Sequence, residues 1–364
     1  MRKLKEAEYI KIVILGLFLG FTSVKSSHVY GQITIGKIHN EAIVVDAHAH
    51  GLSFNNDAKQ LNIKMLKRGD VDVVGLYFAY YPLQDLTLLC RVKSDIKELQ
   101  NEIESSDYNL ILVENSQQIE TAVGNGNIAI MLGVEYFYGI FQNKVCTIDS
   151  LYEIGIRAVT LMDNEYDLLS SENLEKESSA VLSDFGKLII DRMNKLGMVI
   201  DISHLNDDMQ KAVIDYSASP VIASHSPVRG VHDVARNIPD EILLKLKEKN
   251  GAIMITFNSG ILAGLENGRT DINRLIDHIM HAIEVMGSEH VGIGSDYNGS
   301  GQRSPNGLEN ASGFPNITSH LLERGLSRTD TEKVLGLNYL NLLKRVEAYS
   351  NEMSMIFINE ENHD

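Results

Sequence analysis

Two histidines, one residue apart, follow the first apolar run of the chain in the string VVDAHAH, which ends at His50. Residues i and i+2 of an extended strand point to the same side, so the imidazoles of His48 and His50 can bind one cation together. Neutral imidazole is a preferred ligand of Zn²⁺ and of similar borderline ions. A polar loop after a buried strand is the alternative, and the pair alone does not decide between the two.

Further ligand-type side chains stand at the ends of other apolar runs. They are Glu135, His204, His225 and Asp296, at the ends of the runs 127–135, 198–203, 219–224 and 290–296. A single histidine in such a place is more often structural, but so many potential ligands at the same ends are hard to explain by chance. His278 and His281 lie inside a helical pattern instead, and there the structural interpretation is favoured.

Together these side chains allow a site for two metal ions. The first histidine pair would hold one ion, and His204 with His225 would hold the second. Glu135 lies between the two pairs in strand order and has two oxygens with which it could bridge the ions. Two ions about 3.5–4 Å apart can share and activate a hydroxide. Asp296 remains as the group that moves a proton from this hydroxide to a leaving nitrogen.

Such a site needs elements that bring all the run ends to one rim. Short β-branched runs alternate with longer amphipathic stretches along the chain, which predicts parallel βαβ units. The eight runs are 42–47, 71–79, 127–135, 156–161, 198–203, 219–224, 251–258 and 290–296. Helical patterns between them include 183–197, 237–251 and 270–287. Eight units favour an α/β fold of the (β/α)8 TIM-barrel type over an open sheet, and 109–115 is a ninth candidate, either an extra edge strand or part of an insertion.

The N-terminus predicts export. Basic residues precede the apolar run 12–21, which is too short to span a bilayer comfortably and is typical of a signal peptide. We therefore divide the chain into a signal peptide or N-terminal anchor (1–31), one barrel domain (32–350) and a tail (351–364). The expected location is periplasmic or extracellular, with membrane association through the N-terminus as the alternative.

Charge and cysteine content narrow the classes of partner. The chain has 364 residues and a formal net charge of −16, which argues against binding to nucleic acid or to anionic membranes. An anionic substrate would need a local cation, either a metal ion or an arginine. Cys90 and Cys146 could pair in an oxidising compartment, or could remain two separate thiols.

With these residues identified, the chain resembles the membrane (renal-type) dipeptidases, peptidase family M19 of the metal-dependent hydrolase superfamily. The resemblance spans roughly residues 41–347 and is carried by VVDAHAH, GVE, FGKLIIDRMNKLGMVIDISH, PVIASHS, RNIPDEIL and HVGIGSDYNG. It implies a metal-dependent hydrolase barrel and an exported dipeptidase with two Zn²⁺ ions per chain. It also implies a small dipeptide-like substrate and, as is common in the family, a homodimer.

The resemblance also implies roles for individual residues. The metal ligands would be His48, His50, Glu135, His204 and His225, with Glu135 between the two ions. Asp296 would be the proton shuttle. Arg236, in the string ARN, matches the family's binder of the free carboxylate of the substrate, and Asn237 beside it would contribute to substrate binding. A planar guanidinium suits a carboxylate because it can form two parallel hydrogen bonds.

Several positions depart from the family pattern. The family usually has His-x-Asp where this chain has His50, and Asp163 stands where the family has a histidine that steadies the oxyanion. Tyr136 follows the predicted bridging glutamate where small residues are common, and Asn298 replaces a frequent Asp. Both Asp163 and Tyr136 are expected to bind substrate. An ionised Asp163 would repel a developing oxyanion, and Tyr136 could narrow or reshape the pocket. The alternatives are therefore an amidase, lactonase or phosphoesterase on the same barrel, or an inactive relative that binds metal.

Overall fold

The computed structural model describes residues 35–79, 88–135, 144–161, 182–264, 268–301 and 303–361. The predicted signal peptide (1–31) lies outside the described residues, and so do Tyr136 and Asp163. Among the described residues, no helix combines the length and the apolar character that a membrane crossing requires. Cys90 and Cys146 are both exposed and are free thiols.

Nine parallel strands form one sheet. They are β1 (Val45–His50), β2 (Val73–Ala79), β3 (Leu110–Val113), β4 (Ile128–Glu135), β5 (Ile156–Thr160), β6 (Val199–Asp201), β7 (Val221–Ala223), β8 (Ala252–Ile255) and β9 (Val291–Ile293). The strands follow one another in the order β1-β2-β4-β5-β6-β7-β8-β9, and β3 pairs with β4 beside this path. The predicted (β/α)8 barrel is thus confirmed, with the run 109–115 as the extra strand.

Backbone contacts between β1 and the chain after β9 bring the two ends of the sheet together. The amide of His50 donates to the carbonyl oxygen of Tyr297 over 2.9 Å, and the amide of Asp296 donates to the carbonyl oxygen of His48 over 2.8 Å. Ala49 forms an isolated parallel bridge with Tyr297. The barrel therefore closes directly beneath the predicted metal ligands.

A buried carboxylate reinforces this closure. Both oxygens of Asp46 accept hydrogen bonds from Ser295, one from its amide over 2.8 Å and one from its hydroxyl over 2.5 Å. Burial raises the pKa of the Asp46 carboxyl to about 6, although the hydrogen bonds from Ser295 oppose the rise. Asp46, the aspartate of the VVDAHAH string, thus connects β1 to the chain after β9, where the barrel closes.

Helices surround the sheet. They span Ile63–Arg68, Leu88–Ser105, Ser116–Gly124, Cys146–Glu153, Asp184–Leu196, Asp207–Tyr216, Asp240–Glu248, Ser259–Leu262, Ile272–Met286, Phe314–Glu323, Arg328–Glu332 and Asn338–Glu361, and residues 35–41 are also helical. Helix Asp184–Leu196 illustrates how the sequence determines where a helix begins and ends. The hydroxyl of Ser183 accepts from the amide of Gly186 at its start, and Gly197 ends it in the left-handed region at φ +70°.

Alternation along the strands determines which residues face the barrel interior. In β4, Ile128, Ile130 and Leu132 belong to the apolar cluster between sheet and helices, whereas Ala129 and Met131 belong to a second, inner cluster. Glu135 continues the inner series, because successive residues of a strand point to opposite faces. Its carboxylate is therefore delivered to the interior at the carboxyl end of the barrel.

Candidate metal centre

The structure brings all six predicted metal-site residues together at the carboxyl end of the barrel. His48 and His50 lie within β1, which extends to His50, so both imidazoles are held by the sheet itself. The other four, Glu135, His204, His225 and Asp296, end or follow β4, β6, β7 and β9. His204 and Asp296 adopt left-handed backbone conformations, with φ +71° and +60°. Such conformations in non-glycine residues cluster at functional sites.

The two oxygens of Glu135 face different histidine pairs. Oε2 lies 3.1 Å from Nε2 of His50 and 3.7 Å from Nε2 of His48. Oε1 lies 3.1 Å from Nε2 of His204 and 3.2 Å from Nε2 of His225. The carboxylate thus stands between two pairs of imidazoles and offers one oxygen to each.

The short distances between the ligand atoms of the site are better explained by bound metal ions than by hydrogen bonds among the side chains. Nε2 of His48 and Nε2 of His50 are 3.1 Å apart, and those of His204 and His225 are 2.8 Å apart. Oε1 of Glu135 is buried and makes no well-directed hydrogen bond to any described residue. Buried polar atoms are normally satisfied. Three ligand atoms that converge on one point at these distances are an arrangement that a cation satisfies.

Hydrogen bonds at the opposite ring nitrogens orient these imidazoles. Nδ1 of His50 lies 3.0 Å from the carbonyl oxygen of Tyr77, which can only accept, so His50 carries its proton on Nδ1. Nδ1 of His48 and Nδ1 of His225 both contact the hydroxyl of Ser224. In each case Nε2 faces the centre of the site. Such outer contacts are typical of metal-binding histidines.

Charge and burial set the protonation of the site. Burial lowers the pKa of His204 and lowers that of His225 well below its usual range, so both imidazoles are neutral and able to bind metal. Burial alone would raise the pKa of Glu135, but the neighbouring imidazoles outweigh it and keep the pKa well below its usual range. Burial also opposes a charge on His50, yet Asp296 and Glu135 raise its pKa to about 10. The carboxylates beside the first histidine pair thus favour a positive charge at this position.

Asp296 lies beside the first histidine pair. Its Oδ1 is 3.4 Å from Nε2 of His50, and its side chain is 13% exposed. The absence of a side chain at Gly299 makes this approach possible, since a Cβ there would lie 2.1 Å from Oδ1 of Asp296 and 2.4 Å from Cδ2 of His50. Ligand atoms of His48, His50 and Asp296 lie within 4.8 Å of one another. The carboxylate is therefore close enough to contact either an ion or the water beside it.

A cavity of about 640 Å³ opens over this centre. Among the residues that line it are Arg236, Asp95, Phe78 and Ile261, together with most of the predicted ligands. Nη1 of Arg236 donates to the hydroxyl of Ser226 over 2.8 Å, and Nη2 donates to the carbonyl oxygen of His225 over 3.0 Å. The guanidinium is thus fixed in the cavity wall next to the second histidine pair.

Asn237 is not among the residues that line this cavity. It is 1% exposed, and its amide donates to the carbonyl oxygens of His232 and Ile261, over 2.8 Å in each case. The side chain that we expected to bind substrate therefore joins two loops beneath Arg236. Its geometry suits positioning of the loop better than contact with a ligand.

Asn298 has a function in the loops that the sequence did not reveal. Its amide nitrogen donates to the carbonyl oxygens of His50 and Gly51, both over 2.9 Å, and its oxygen accepts from the amide of Gln60 over 3.0 Å. An ionised Asp could not donate to these two carbonyls. Asn298, which departs from the family pattern, thus holds the loop after β1 through hydrogen bonds of an uncharged side chain.

Comparison with known proteins finds dipeptidases among the relatives of this chain. The family described as membrane dipeptidase (peptidase family M19) matches residues 31–356. Dipeptidase 3 of Mus musculus is 32% identical over 321 residues, covering 81% of this chain and 61% of its own length. Dipeptidase verJ of Clonostachys rogersoniana is 35% identical over 252 residues, covering 69% of this chain and 64% of its own length. This chain thus aligns with less than two thirds of either relative.

A solved structure shares the fold. The crystal structure of the probable dipeptidase PvdM from Pseudomonas aeruginosa aligns with a TM-score of 0.78 at 19% sequence identity, over 88% of this chain and 99% of that chain. At this identity the match concerns the arrangement of the barrel and not the reaction.

Proposed function

This chain belongs to the membrane dipeptidase family, peptidase family M19, and on that premise we propose that it is a zinc-dependent dipeptidase with two ions per chain. The observation that carries the proposal is the position of Glu135, whose two oxygens each face a separate pair of imidazoles. Both named relatives are dipeptidases. Because they align over only part of their own length, the activity itself is part of the proposal.

The donor set fits two zinc ions. His48, His50 and Oε2 of Glu135 would hold one ion, and His204, His225 and Oε1 would hold the other. Imidazole nitrogens and a carboxylate are the ligands that Zn²⁺ takes in catalytic sites, where a position is left open for water or substrate. Bound there, the ions would supply Lewis-acid activation of a water molecule and of the scissile carbonyl.

Asp296 would carry the proton in this reaction. Hydrolysis adds the hydroxyl part of a water molecule to the carbonyl carbon and its proton to the leaving amine. The carboxylate of Asp296 lies at the cavity beside the first histidine pair, so it can accept the proton from the water and deliver it to the amine nitrogen. Its partly exposed side chain can reach both positions.

Arg236 would bind the free carboxylate of the dipeptide. Two of its guanidinium nitrogens are already held by Ser226 and by the carbonyl of His225, which fixes the plane of the group. A positioned guanidinium in a chain of net charge −16 supplies the local cation that an anionic substrate needs. Tyr136 and Asp163 remain proposed pocket residues on the basis of the sequence.

A substrate panel tests this function. The full chain is stripped of metal, reloaded with zinc, and assayed with L,L- and L,D-dipeptides, with their C-terminal amides, and with ester, lactone and phosphoester substrates. We expect hydrolysis of free dipeptides only after reloading, with about two zinc ions per chain. Hydrolysis of the non-peptide substrates alone would overturn the dipeptidase assignment, and an inactive protein that still binds two ions would indicate a metal-binding relative.

We also propose that the protein is exported and forms a homodimer. Export is supported by the basic and apolar pattern of residues 1–31, and the dimer by resemblance to the family. Mass spectrometry of the N-terminus after cell fractionation tests the first proposal, and sedimentation equilibrium tests the second. An uncleaved protein in the cytosol would contradict export.

A further inference from the structure

A serine hydroxyl connects the two histidine pairs of the metal centre. Oγ of Ser224 lies 2.8 Å from Nδ1 of His48, which belongs to the first pair, and 2.9 Å from Nδ1 of His225, which belongs to the second. The same oxygen lies 2.6 Å from Oδ2 of Asp201. All four side chains are buried, with at most 3% exposed. One hydroxyl therefore contacts one proposed ligand from each subsite.

The protons of this cluster can be assigned by counting donors and acceptors. A serine hydroxyl has one proton to donate and two lone pairs to accept with. Oδ2 of Asp201 accepts from the hydroxyl of Ser224 over 2.6 Å, so the hydroxyl proton points to it. Both lone pairs of Ser224 then accept, one from Nδ1–H of His48 and one from Nδ1–H of His225. The phenol of Tyr77 is a further polar neighbour of Ser224, and in this assignment both lone pairs of the hydroxyl are taken by the two imidazoles.

Asp201 is itself held firmly. Its Oδ1 accepts from the amides of Ser203 and Ser224, both over 2.9 Å, and its Oδ2 also accepts from the hydroxyl of Thr160 over 2.6 Å. With Ser224 this makes four donors around one carboxylate. Each of these donors comes from β5 or from the loops after β6 and β7, so the barrel itself fixes the direction of the hydroxyl.

We propose that Ser224, oriented by Asp201, is a positioning residue that fixes the tautomers of His48 and His225 together and so couples the two metal subsites. This inference rests on the proposed metal centre. With a proton on each Nδ1, both Nε2 atoms present a lone pair to the ions. An outer-shell partner ordinarily orients one ligand. Here a single hydroxyl orients one ligand in each subsite. Its loss should therefore lower the affinity for both ions at once.

Zinc titration of Ser224→Ala tests the coupling. The metal-stripped full chain is titrated against a competing chelator, and the free energy of unfolding of the metal-free protein is measured beside it. We expect the affinity for both ions to fall by about 10- to 100-fold, as for other outer-shell substitutions. Ser217→Ala is the matched control, because Ser217 is also buried, precedes β7 and its hydroxyl contacts Asn194 and the carbonyl oxygen of Ser219, away from the metal centre. Its zinc affinity should equal that of the wild type.

Asp201→Asn provides a second variant of unchanged size. Its amide nitrogen would face the hydroxyls of Thr160 and Ser224 and donate to both, since its oxygen is needed by the two backbone amides. The proton of Ser224 would then have to point to His48 or His225, where it meets an N–H group. One imidazole must move its proton to Nε2 and lose its lone pair for the ion. We expect weaker zinc binding in a protein that folds normally.

Nitrogen NMR of the zinc-loaded wild type reads the tautomers without any substitution. We expect His48 and His225 to carry their protons on Nδ1. Protonation at Nε2, or variants at Ser224 and Asp201 that bind both ions as tightly as the wild type, would overturn the coupling while leaving the dipeptidase proposal intact. Wild-type protein that takes up no zinc would overturn the metal centre and this inference together.

Discussion

Nε2 of His204 and Nε2 of His225 lie 2.8 Å apart, and each lies within 3.2 Å of Oε1 of Glu135. Three atoms with lone pairs that converge in this way must share either a proton or a cation. Because burial lowers the pKa of both imidazoles, neither ring takes up a second proton near neutral pH. A divalent cation would satisfy all three atoms, which is why this contact supports a metal site.

The first prediction concerns Glu135→Gln. Glutamine has the same size but replaces one carboxylate oxygen with an NH₂ group, which faces imidazole lone pairs and cannot bind metal. We expect zinc content after dialysis to fall from about two ions per chain to one or none, measured by elemental mass spectrometry. Glu120→Gln is the control, because Glu120 is a surface residue that pairs with Lys344. Retention of both ions in Glu135→Gln would contradict the bridging role.

The second prediction concerns the buried His278, which the helical pattern marked as structural. Its Nδ1 accepts from the amide of Val228 over 3.1 Å, and its Nε2 contacts the carbonyl oxygen of Leu262 over 2.9 Å. Burial lowers the pKa of His278 from 6.5 to about 4. The unfolded chain therefore binds more protons than the folded chain between these two values. Stability should fall as the pH falls from 6.5 to 4, by up to about 3 kcal/mol.

Urea unfolding of the metal-free protein across this pH window measures the effect. His278→Gln keeps a donor and an acceptor but does not titrate there, so its free energy of unfolding should depend less on pH than that of the wild type. His281→Gln is the control for loss of an imidazole from the same helix, because His281 is partly exposed and contacts Asp240. Equal pH dependence in wild type and His278→Gln would refute the assignment.

The barrel, and the convergence of the six side chains at one rim, were predictable from the alternation of strand and helix patterns. β-Branched runs alternating with helices indicate parallel strands, and parallel strands bring their carboxyl ends to one rim. The first strand was placed at 42–47 from its apolar character, yet it extends to His50. His50 is buried among its strand neighbours, and its backbone pairs with that of Tyr77 in β2.

The partners of the ligands were not predictable in the same way. Asp201 and Ser224 are 23 positions apart, and only the pairing of β6 with β7 brings them into contact. Their strings, DIS and SHS, contain the right residue types beside each histidine, but nothing in the spacing shows which hydroxyl faces which ring. The orientation of Asn237 was not predictable either, since its position next to Arg236 in sequence does not decide which side chain faces the cavity.

The third prediction concerns Asp296→Asn. The amide cannot accept the proton of the water and pass it to the amine, so kcat for dipeptides should fall by about 10²- to 10⁴-fold. Zinc content should stay at the wild-type level, because the proposed ligand set does not include this side chain. Asp215→Asn removes a surface carboxylate that pairs with Lys245 and is the control. Loss of one ion in Asp296→Asn would show instead that Asp296 binds metal with His48 and His50.

The last prediction concerns the binding of the substrate's free carboxylate by Arg236. Arg236→Lys keeps the charge but loses the planar fork that forms two parallel hydrogen bonds. We expect kcat/KM for free dipeptides to fall by about 10- to 100-fold, mainly through KM, since charge-assisted hydrogen bonds contribute about 1.5–3 kcal/mol. The rates with C-terminally amidated dipeptides should not change. Arg229→Lys, at an arginine that pairs with Asp207 and is not among the cavity-lining residues, is the matched control. Equal losses on free and amidated dipeptides would mean that no free carboxylate is bound at Arg236, and would favour an amidase, lactonase or phosphoesterase on this barrel.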